Sequence, residues 1–134
     1  MLNDLHIHTT YSDGAFTPDE IINMAREKGI RYISITDHDT MGAYGNFDDV
    51  HEDLTIISGV EVSTYYKGLE LHILSYFHNP KDEPLLALLD RFKNDRVERY
   101  YKILRNLENL KIHLPDEAPP MDSYGRAHIA KLLI

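Results

Sequence analysis

A capped helix between two short apolar segments is the feature that most restricts what this chain can fold into. The helix begins at TPDE, where Thr17 is a good N-cap, Pro18 suits the first helical position and Glu20 can complete a capping box. The flanking segments Leu2–His8 and Ile30–Thr36 have the length and apolar content of strands. Because this order favours neighbouring parallel strands, the sequence predicts an α/β fold with a largely parallel sheet.

The pattern in the rest of the chain predicts two more strands and three more helices, the first of them short, separated by turns and loops. A long helix is indicated by leucine and aromatic residues that recur at helical spacing. The basic residues on that helix, among them Arg96 and Arg99, are interpreted mainly as a solvated face. The expected elements are a loop with a short helix at Thr40–Glu52, a strand at Leu54–Tyr66 broken at Gly59, a turn at Lys67–Gly68, a strand at Leu69–Phe77, the long helix at Lys81–Lys111, a proline-rich connection, and a last helix within Tyr124–Ile134.

Composition and charge exclude several classes of protein. The chain has 134 residues, enough for one domain with its own core, and a formal net charge of -8. That charge argues against a long nucleic acid held by a basic face. Because the chain has no cysteine and eight histidines, any metal must be held by His, Asp and Glu.

The N-terminus and the hydropathy pattern point to the cytoplasm. The opening MLNDLHIH has neither the basic region nor the long apolar region of a signal peptide. No window approaches the roughly 18 unbroken apolar residues that a membrane span needs. We therefore expect a cytoplasmic protein that does not act at a membrane.

The stretch DLHIHTTYSDG carries the first indication of chemistry. In a strand, side chains two residues apart point the same way, so His6 and His8 project together, with Asp4 behind them on the same face. Asp13 follows in the next loop, where it can bridge a metal or take a second one. The alternative is that the two histidines only line the exposed face of an edge strand. Their place at the end of a strand favours a metal site.

Three later motifs place further candidate ligands at predicted strand ends. His38 lies in TDHD, where Asp39 can instead cap the following helix, and Glu61 lies inside the apolar run GVEVS. Buried glutamate is rare unless it is paired or bound to a metal. His72 lies in LELHIL. It is interpreted as a ligand only because the other three motifs also supply candidate ligands. Nitrogen and oxygen ligands without thiolate suit Zn, Mn or Fe, and several carboxylates among the imidazoles fit more than one ion.

The motifs DLHIHTTYSDG, TDHDT, GVEVS and LHILSYF, in this order and spacing, resemble the PHP (polymerase and histidinol phosphatase) superfamily. The resemblance is to its stand-alone metal-dependent phosphoesterases, the group that includes the nucleoside 3′,5′-bisphosphate phosphatases. It implies a distorted seven-stranded β/α barrel, of which residues 1–134 would be the N-terminal portion. It also implies two to three divalent ions, Mn, Zn or Fe, at the carboxyl ends of the strands in a complete site.

The resemblance also assigns roles to individual residues. Glu61 would bridge two ions, and Asp37 would orient other groups rather than bind a metal. The catalytic group would comprise Asp13 and His38, with Arg126 and His128 reaching the substrate phosphate or the metals. The implied metal ligands are His6, His8, Asp13, His38, Glu61 and His72.

The function expected from this resemblance is hydrolysis of a phosphate monoester by a metal-activated water. The substrate would be a small phosphorylated compound such as a nucleotide. Alternatives within the family are histidinol phosphate and a nucleic-acid 3′ end. An alternative of another class is a catalytically incomplete fragment that serves as a metal-binding or interaction module.

The chain departs from the family pattern after its fourth motif. A complete β/α barrel needs roughly 250 residues, and no Asp-x-His follows His72. We therefore expect an incomplete PHP domain over residues 1–134. Half a barrel would expose an edge strand and an apolar face, which a second copy of the chain could cover.

Overall fold

The first three elements form the expected strand–helix–strand unit. They are strand β1 (Leu2–Ile7), helix α1 (Pro18–Glu27) and strand β2 (Ile30–Ile35). The Thr17 hydroxyl accepts a hydrogen bond from the Glu20 N–H, and the Glu20 carboxylate accepts one from the Thr17 N–H in return. This capping box confirms where α1 begins. The computed structural model describes residues 2–45, 53–114 and 123–134.

The strands form two sheets, one parallel with three strands and one antiparallel with two. β1 pairs with β2 in parallel, and β2 pairs in parallel with the two-residue strand β3 (Thr55–Ile56). Strands β4 (Gly59–Tyr66) and β5 (Leu69–Tyr76) form an antiparallel hairpin. The turn residues Lys67 and Gly68 have φ values of 51° and 83°, as a two-residue hairpin turn requires. The predicted α/β class with a parallel sheet is confirmed.

Two backbone hydrogen bonds join the hairpin to the parallel sheet just beyond the end of β2. The Asp39 N–H donates to the Glu61 carbonyl at 3.0 Å, and the Glu61 N–H donates to the Asp37 carbonyl at 3.2 Å. β4 therefore runs beside the TDHD segment, parallel to it. This pairing brings two of the sequence motifs onto adjacent backbone segments.

The predicted interruption at Gly59 is present as the gap between β3 and β4. The Tyr44 side chain lies at this gap. The Tyr44 hydroxyl accepts a hydrogen bond from the Gly59 N–H at 2.9 Å and donates to the Ile35 carbonyl at 2.5 Å. Tyr44 belongs to a 3-10 turn, Gly42–Gly45, which is the short helix expected in the loop after β2. The remainder of that loop, residues 46–52, lies outside the described residues.

The long helix and the last helix are both found, with shorter bounds than predicted. Helix α2 spans Glu83–Asn109. It begins there because the Asp82 carboxylate caps it by accepting a hydrogen bond from the Leu85 N–H. Helix α3 spans Arg126–Leu132. Most of the proline-rich connection between them, residues 115–122, lies outside the described residues.

The buried residues form two clusters. The larger one packs α1 and the first half of α2 against the sheet, with Ile33, Ile35 and Val60 fully buried. The smaller one joins the second half of α2 to α3 through Tyr100 and Ile129. The site described below lies at the carboxyl ends of β1 and β2, at the edge of the larger cluster.

One face of the hairpin exposes apolar side chains, as the sequence predicts. Leu69, Leu71 and Ile73 alternate along β5 and are 65%, 43% and 53% exposed. Within the described residues β5 pairs only with β4. The covering of this face by a second copy stays a prediction.

Among the described helices, none is long and apolar enough to cross a bilayer. The expected cytoplasmic location stays a prediction.

We expect Gly59→Ala to lower the free energy of unfolding by about 1–3 kcal/mol, the usual cost of overpacking a core position. A Cβ atom at this position would lie 2.4 Å from the Ser34 hydroxyl oxygen and 3.1 Å from the Tyr76 ring. Urea unfolding measures the change. Gly45→Ala is the matched control, because a Cβ there meets no atom of the described residues within 4 Å. Equal stability of the two variants would contradict this account of the strand break.

Candidate metal centre

The two histidines of the first motif converge as predicted. The His6 and His8 Nε2 atoms lie 3.1 Å apart at the carboxyl end of β1. The register of β1 against β2 shifts between Asp4 and Ile7, which marks an irregularity in the strand at this point. The Tyr76 hydroxyl, reaching across from β5, donates to the Leu5 carbonyl there at 2.8 Å. The sheet therefore supports the backbone that carries His6.

Asp13 approaches the same histidines from the loop after β1. Its Oδ1 lies 3.0 Å from His8 Nδ1 and its Oδ2 lies 3.7 Å from His38 Nε2. The loop turns back sharply at Gly14, whose N–H donates to the Thr9 carbonyl. A Cβ on Gly14 would lie 2.2 Å from the His8 carbonyl oxygen, so only glycine permits this approach.

Glu61 lies at the centre of the cluster with its side chain 7% exposed. One carboxylate oxygen, Oε2, lies 2.8 Å from His8 Nε2, 3.0 Å from His6 Nε2 and 3.6 Å from His38 Nδ1. The other, Oε1, lies 2.9 Å from His72 Nδ1. Each oxygen thus faces a different group of imidazoles, which is the arrangement of a bridging carboxylate.

The structure brings together all six residues that the sequence predicts as metal ligands. They form three overlapping groups, within each of which the donor atoms lie within 4.8 Å of one another. His8, His38 and Glu61 each belong to two groups. The groups are His6, His8 and Glu61; His8, Asp13 and His38; and His38, Glu61 and His72. Their assignment as ligands stays a prediction.

Two observations show that these residues fit divalent ions. Ligand atoms held about 2.1 Å from a metal at right angles lie about 3.0 Å apart, and the donor atoms of His6, His8 and Glu61 are separated by 2.8 to 3.1 Å. In addition, His38 Nδ1 is buried and has no hydrogen-bond partner among the described residues. A buried nitrogen without a partner is costly, and a metal ion would satisfy it.

The surroundings of His38 and His8 shift their pKa values in opposite directions. Burial, reinforced by the charge of Arg96, lowers the pKa of His38 to about 4. Burial also disfavours the cation of His8, but the hydrogen bond that His8 donates to Asp13 and the charges of Asp13 and Glu61 outweigh it and raise the pKa of His8 above its ordinary value. The two carboxylates therefore favour a proton on His8, which a bound cation would displace.

Both carboxylates of the cluster are held in the charged form. The hydrogen bond from His8 holds the pKa of Asp13 well below its usual range. Burial alone would raise the pKa of Glu61, but the hydrogen bond from His6 and the nearby charges of His38 and His8 bring it below the ordinary value. Ionised carboxylates beside neutral imidazole are the ligands that divalent ions require.

Asp37 is placed as an orienting group. It is 1% exposed, and its oxygens accept hydrogen bonds from the Thr9 N–H, the Thr9 hydroxyl and the Ser12 hydroxyl. The Ser12 oxygen also lies 3.3 Å from His8 Nδ1. Asp37 thus fixes the loop that carries His8 and Asp13.

The suggestion that Asp39 caps the next helix is wrong, and so is the placing of Arg96 on a solvated face. Asp39 is 2% exposed and adopts a φ of 53°. Its carboxylate accepts hydrogen bonds from the Ser63 N–H and from Arg96 Nε. Arg96 is 6% exposed and also donates to the Ser63 hydroxyl and the Tyr124 carbonyl. This buried ion pair braces the TDHD segment, β4, α2 and the approach to α3.

Arg126 and His128 are not members of the three groups. Arg126 donates to the Glu70 carboxylate at 3.0 Å, and Glu70 in turn lies 3.6 Å from His72 Nε2. His128 Nδ1 accepts a hydrogen bond from the Gly125 N–H at 2.9 Å and so caps the start of α3. Arg126 is therefore linked to the cluster through the Glu70 carboxylate. In His128, Nε2 is the ring nitrogen left to contact a substrate.

The chain belongs to the PHP domain family, whose model matches residues 4–114. The resemblance on which the site residues were predicted is thereby confirmed. The fold agrees with a solved structure, an amidohydrolase from Chromobacterium violaceum with bound sulfate and no metal. It superposes with a TM-score of 0.85 at 27% identity, over 99% of this chain and 49% of that chain.

Several curated relatives are similar to this chain, among them an exoribonuclease and a nucleotide phosphatase. A 5′-3′ exoribonuclease from Haemophilus influenzae is 31% identical over 136 residues, which cover 98% of this chain and 50% of the relative. A 3′,5′-nucleoside bisphosphate phosphatase from Chromobacterium violaceum is 33% identical over 107 residues, 78% of this chain and 38% of the relative. The chain thus spans half or less of the length of these relatives.

We expect the His38 imidazole of metal-free protein to titrate near pH 4, below the ordinary 6.5. Between those values the unfolded chain binds a proton that the folded chain does not. This residue alone therefore makes the free energy of unfolding fall as the pH drops through that window. Two-dimensional NMR of the histidine rings measures the midpoint. A His38 midpoint near 6.5 would show that its surroundings do not disfavour the cation.

We expect Arg96→Met to lower the free energy of unfolding by about 3–5 kcal/mol, because it leaves the Asp39 carboxylate buried without its partner. Arg105→Met, on an exposed position of the same helix, is the control and should cost about 0.5 kcal/mol or less. Adding Asp39→Asn to Arg96→Met should recover part of the loss. Similar unfolding curves for Arg96→Met and Arg105→Met would rule out a bracing role.

Proposed function

We propose that this chain carries the metal centre of a phosphoesterase that hydrolyses a phosphate monoester of a nucleotide. The observation that supports this most is the set of three overlapping donor groups that share His8, His38 and Glu61. Neighbouring cation sites that share ligands are the arrangement used for in-line displacement at phosphorus. The family match and the phosphatase and nuclease names of the relatives support the same reaction class.

The proposed metals are two to three divalent ions of Mn, Zn or Fe. Imidazole and carboxylate without thiolate suit these metals, and ligand chemistry alone does not separate them. His6, His8 and Glu61 would hold one ion, and His38, Glu61 and His72 another. The group of His8, Asp13 and His38 would hold a third ion.

The chemistry supplied by the bound ions is activation of water and neutralisation of the phosphate charge. The residues of the chain orient and bind. The carboxylate of Asp13 and the neutral ring of His38 would orient the attacking water and the ester oxygen. Arg126, with its side chain 67% exposed, can swing from Glu70 to a substrate phosphate. Guanidinium is well suited to pair with two phosphate oxygens at once. His128 is proposed to act through Nε2.

A second candidate is hydrolysis at the end of a short RNA. It is favoured by the coverage of the relatives, because exoribonucleases match 98% and 100% of this chain while the bisphosphate phosphatase matches 78%. The net charge of -8 speaks against long nucleic acids but not against short ones. Release of inorganic phosphate from a mononucleotide supports the first candidate. Shortening of an end-labelled pentanucleotide supports the second, and histidinol phosphate tests the remaining family activity.

The decisive experiment combines metal content with phosphate release for the full 134-residue chain. Protein purified without chelator should contain at least one divalent ion per chain by plasma mass spectrometry, lose it to EDTA and regain it with Mn or Zn. Phosphate release from a nucleoside 3′,5′-bisphosphate should follow the metal content. A chain that takes up no metal under any of these conditions would contradict the proposal and favour an interaction module.

Glu61→Gln should reduce metal occupancy and lower the rate of phosphate release by about 100-fold or more, since even residues behind the ligands cost 10- to 100-fold when changed. The reason is that both oxygens of Glu61 face imidazoles of the cluster. Glu108→Gln on exposed α2 makes the same chemical change away from the site and should keep both properties. Full metal content in Glu61→Gln would exclude Glu61 as a bridging ligand.

A further inference from the structure

A groove beside the metal centre is not used by any step proposed so far. It lies between β4 and α2 and has a volume of about 380 Å³, within the range of small-molecule sites. Its two walls carry aromatic and charged side chains. The residues that matter here are Ser63, Tyr65, Phe92, Asp95, Arg96 and Arg99.

The strand register shows that this groove adjoins the metal centre. Glu61, Ser63 and Tyr65 share one face of β4, since side chains of a strand alternate. Ser63 lies directly opposite His72 on β5. Two residues of strand advance about 6.6 Å, so Ser63 and Tyr65 lie roughly 7 and 13 Å from Glu61 along β4. A metal ion bound to Glu61, followed by the phosphate and the ribose of a nucleotide, can together cover that span and bring a base to Tyr65.

A chain of contacts also links the far wall of the groove to the cluster. Arg99 donates to the Glu70 carboxylate at 3.1 Å, and Glu70 lies 3.6 Å from His72 Nε2. The floor is fixed, because the buried Arg96 guanidinium is tied to Asp39 and Ser63. A ligand with one end at the metal centre would therefore find a rigid surface for its other end.

The lining chemistry matches a nucleobase. Tyr65 presents a ring that is 68% exposed, and Phe92 on α2 is a half-buried second aromatic. Bases stack on aromatic side chains and on the guanidinium plane of arginine, which Arg99 supplies. The Asp95 carboxylate can accept hydrogen bonds from base amino or ring N–H groups. We propose that this groove binds the base of the nucleotide whose phosphate is hydrolysed at the metal centre, an inference that rests on the proposed function.

The test measures binding of nucleosides, which have a base but no phosphate. Saturation-transfer NMR and equilibrium dialysis of the metal-free full chain with guanosine, adenosine and cytidine should detect binding, and ribose should not bind. Tyr65→Ala should weaken nucleoside binding by about 5- to 100-fold, the range measured for removal of a stacking aromatic. Its matched control is Tyr66→Ala. Tyr66 is a neighbouring tyrosine, 60% exposed, that points to the opposite face of β4 and does not line the groove.

Each result bears on one proposal alone. Absence of nucleoside binding, or equal effects of Tyr65→Ala and Tyr66→Ala, would overturn the base-binding groove. Hydrolysis of p-nitrophenyl phosphate by the metal-loaded wild-type chain tests the phosphoesterase without a base. A chain that hydrolyses this ester and binds no nucleoside keeps the proposed function and loses the groove. A chain that binds nucleosides through Tyr65 but hydrolyses nothing keeps the groove as a nucleoside site.

Discussion

The pairing of the TDHD segment with β4 is the interaction on which the rest of the site depends. Two backbone hydrogen bonds there set the hairpin beside the end of β2, so that Glu61 and His38 share one small volume. The pairing requires Asp39 in the left-handed region, a conformation that costs about 1–2 kcal/mol for a residue with a side chain. The hydrogen bonds of its carboxylate to Ser63 and Arg96 offset that cost.

The cluster of proposed metal ligands concentrates negative charge around its imidazoles. Two ionised carboxylates and four imidazoles lie within a few ångströms, and Asp13 and Glu61 both favour the protonated form of His8, which lies between them. Divalent ions would bring more positive charge than one proton and would displace a proton from His8 on binding. The same arrangement should therefore favour cations.

Features that depend on residues close together in the sequence could be predicted. The capping box at Thr17, the turn at Lys67–Gly68 and the alternation of His6 and His8 each depend on residues a few positions apart. The motifs also identified the six residues of the cluster, since polar groups at strand ends stand out in apolar segments. Their assignment as ligands rests on chemistry that no contact among protein atoms can test.

The Asp39–Arg96 pair could not be predicted, because its partners are 57 residues apart and nothing in the sequence marks Arg96 as the partner. Arg96 belongs to a helix with several other basic residues, most of them exposed, and helical periodicity does not say which one turns inward. A buried charge needs a partner of opposite sign, but the chain has 22 acidic residues from which to choose.

The position of Arg96 lets one guanidinium serve two purposes. By hydrogen bonding it holds Asp39, β4 and the Tyr124 carbonyl in register. By its charge it adds to the effect of burial, which lowers the pKa of His38 and so favours the neutral ring that can bind a metal. A lysine could supply the charge but not the three directed contacts of a planar fork. The geometry of the site and the protonation of one of its proposed ligands therefore depend on the same residue.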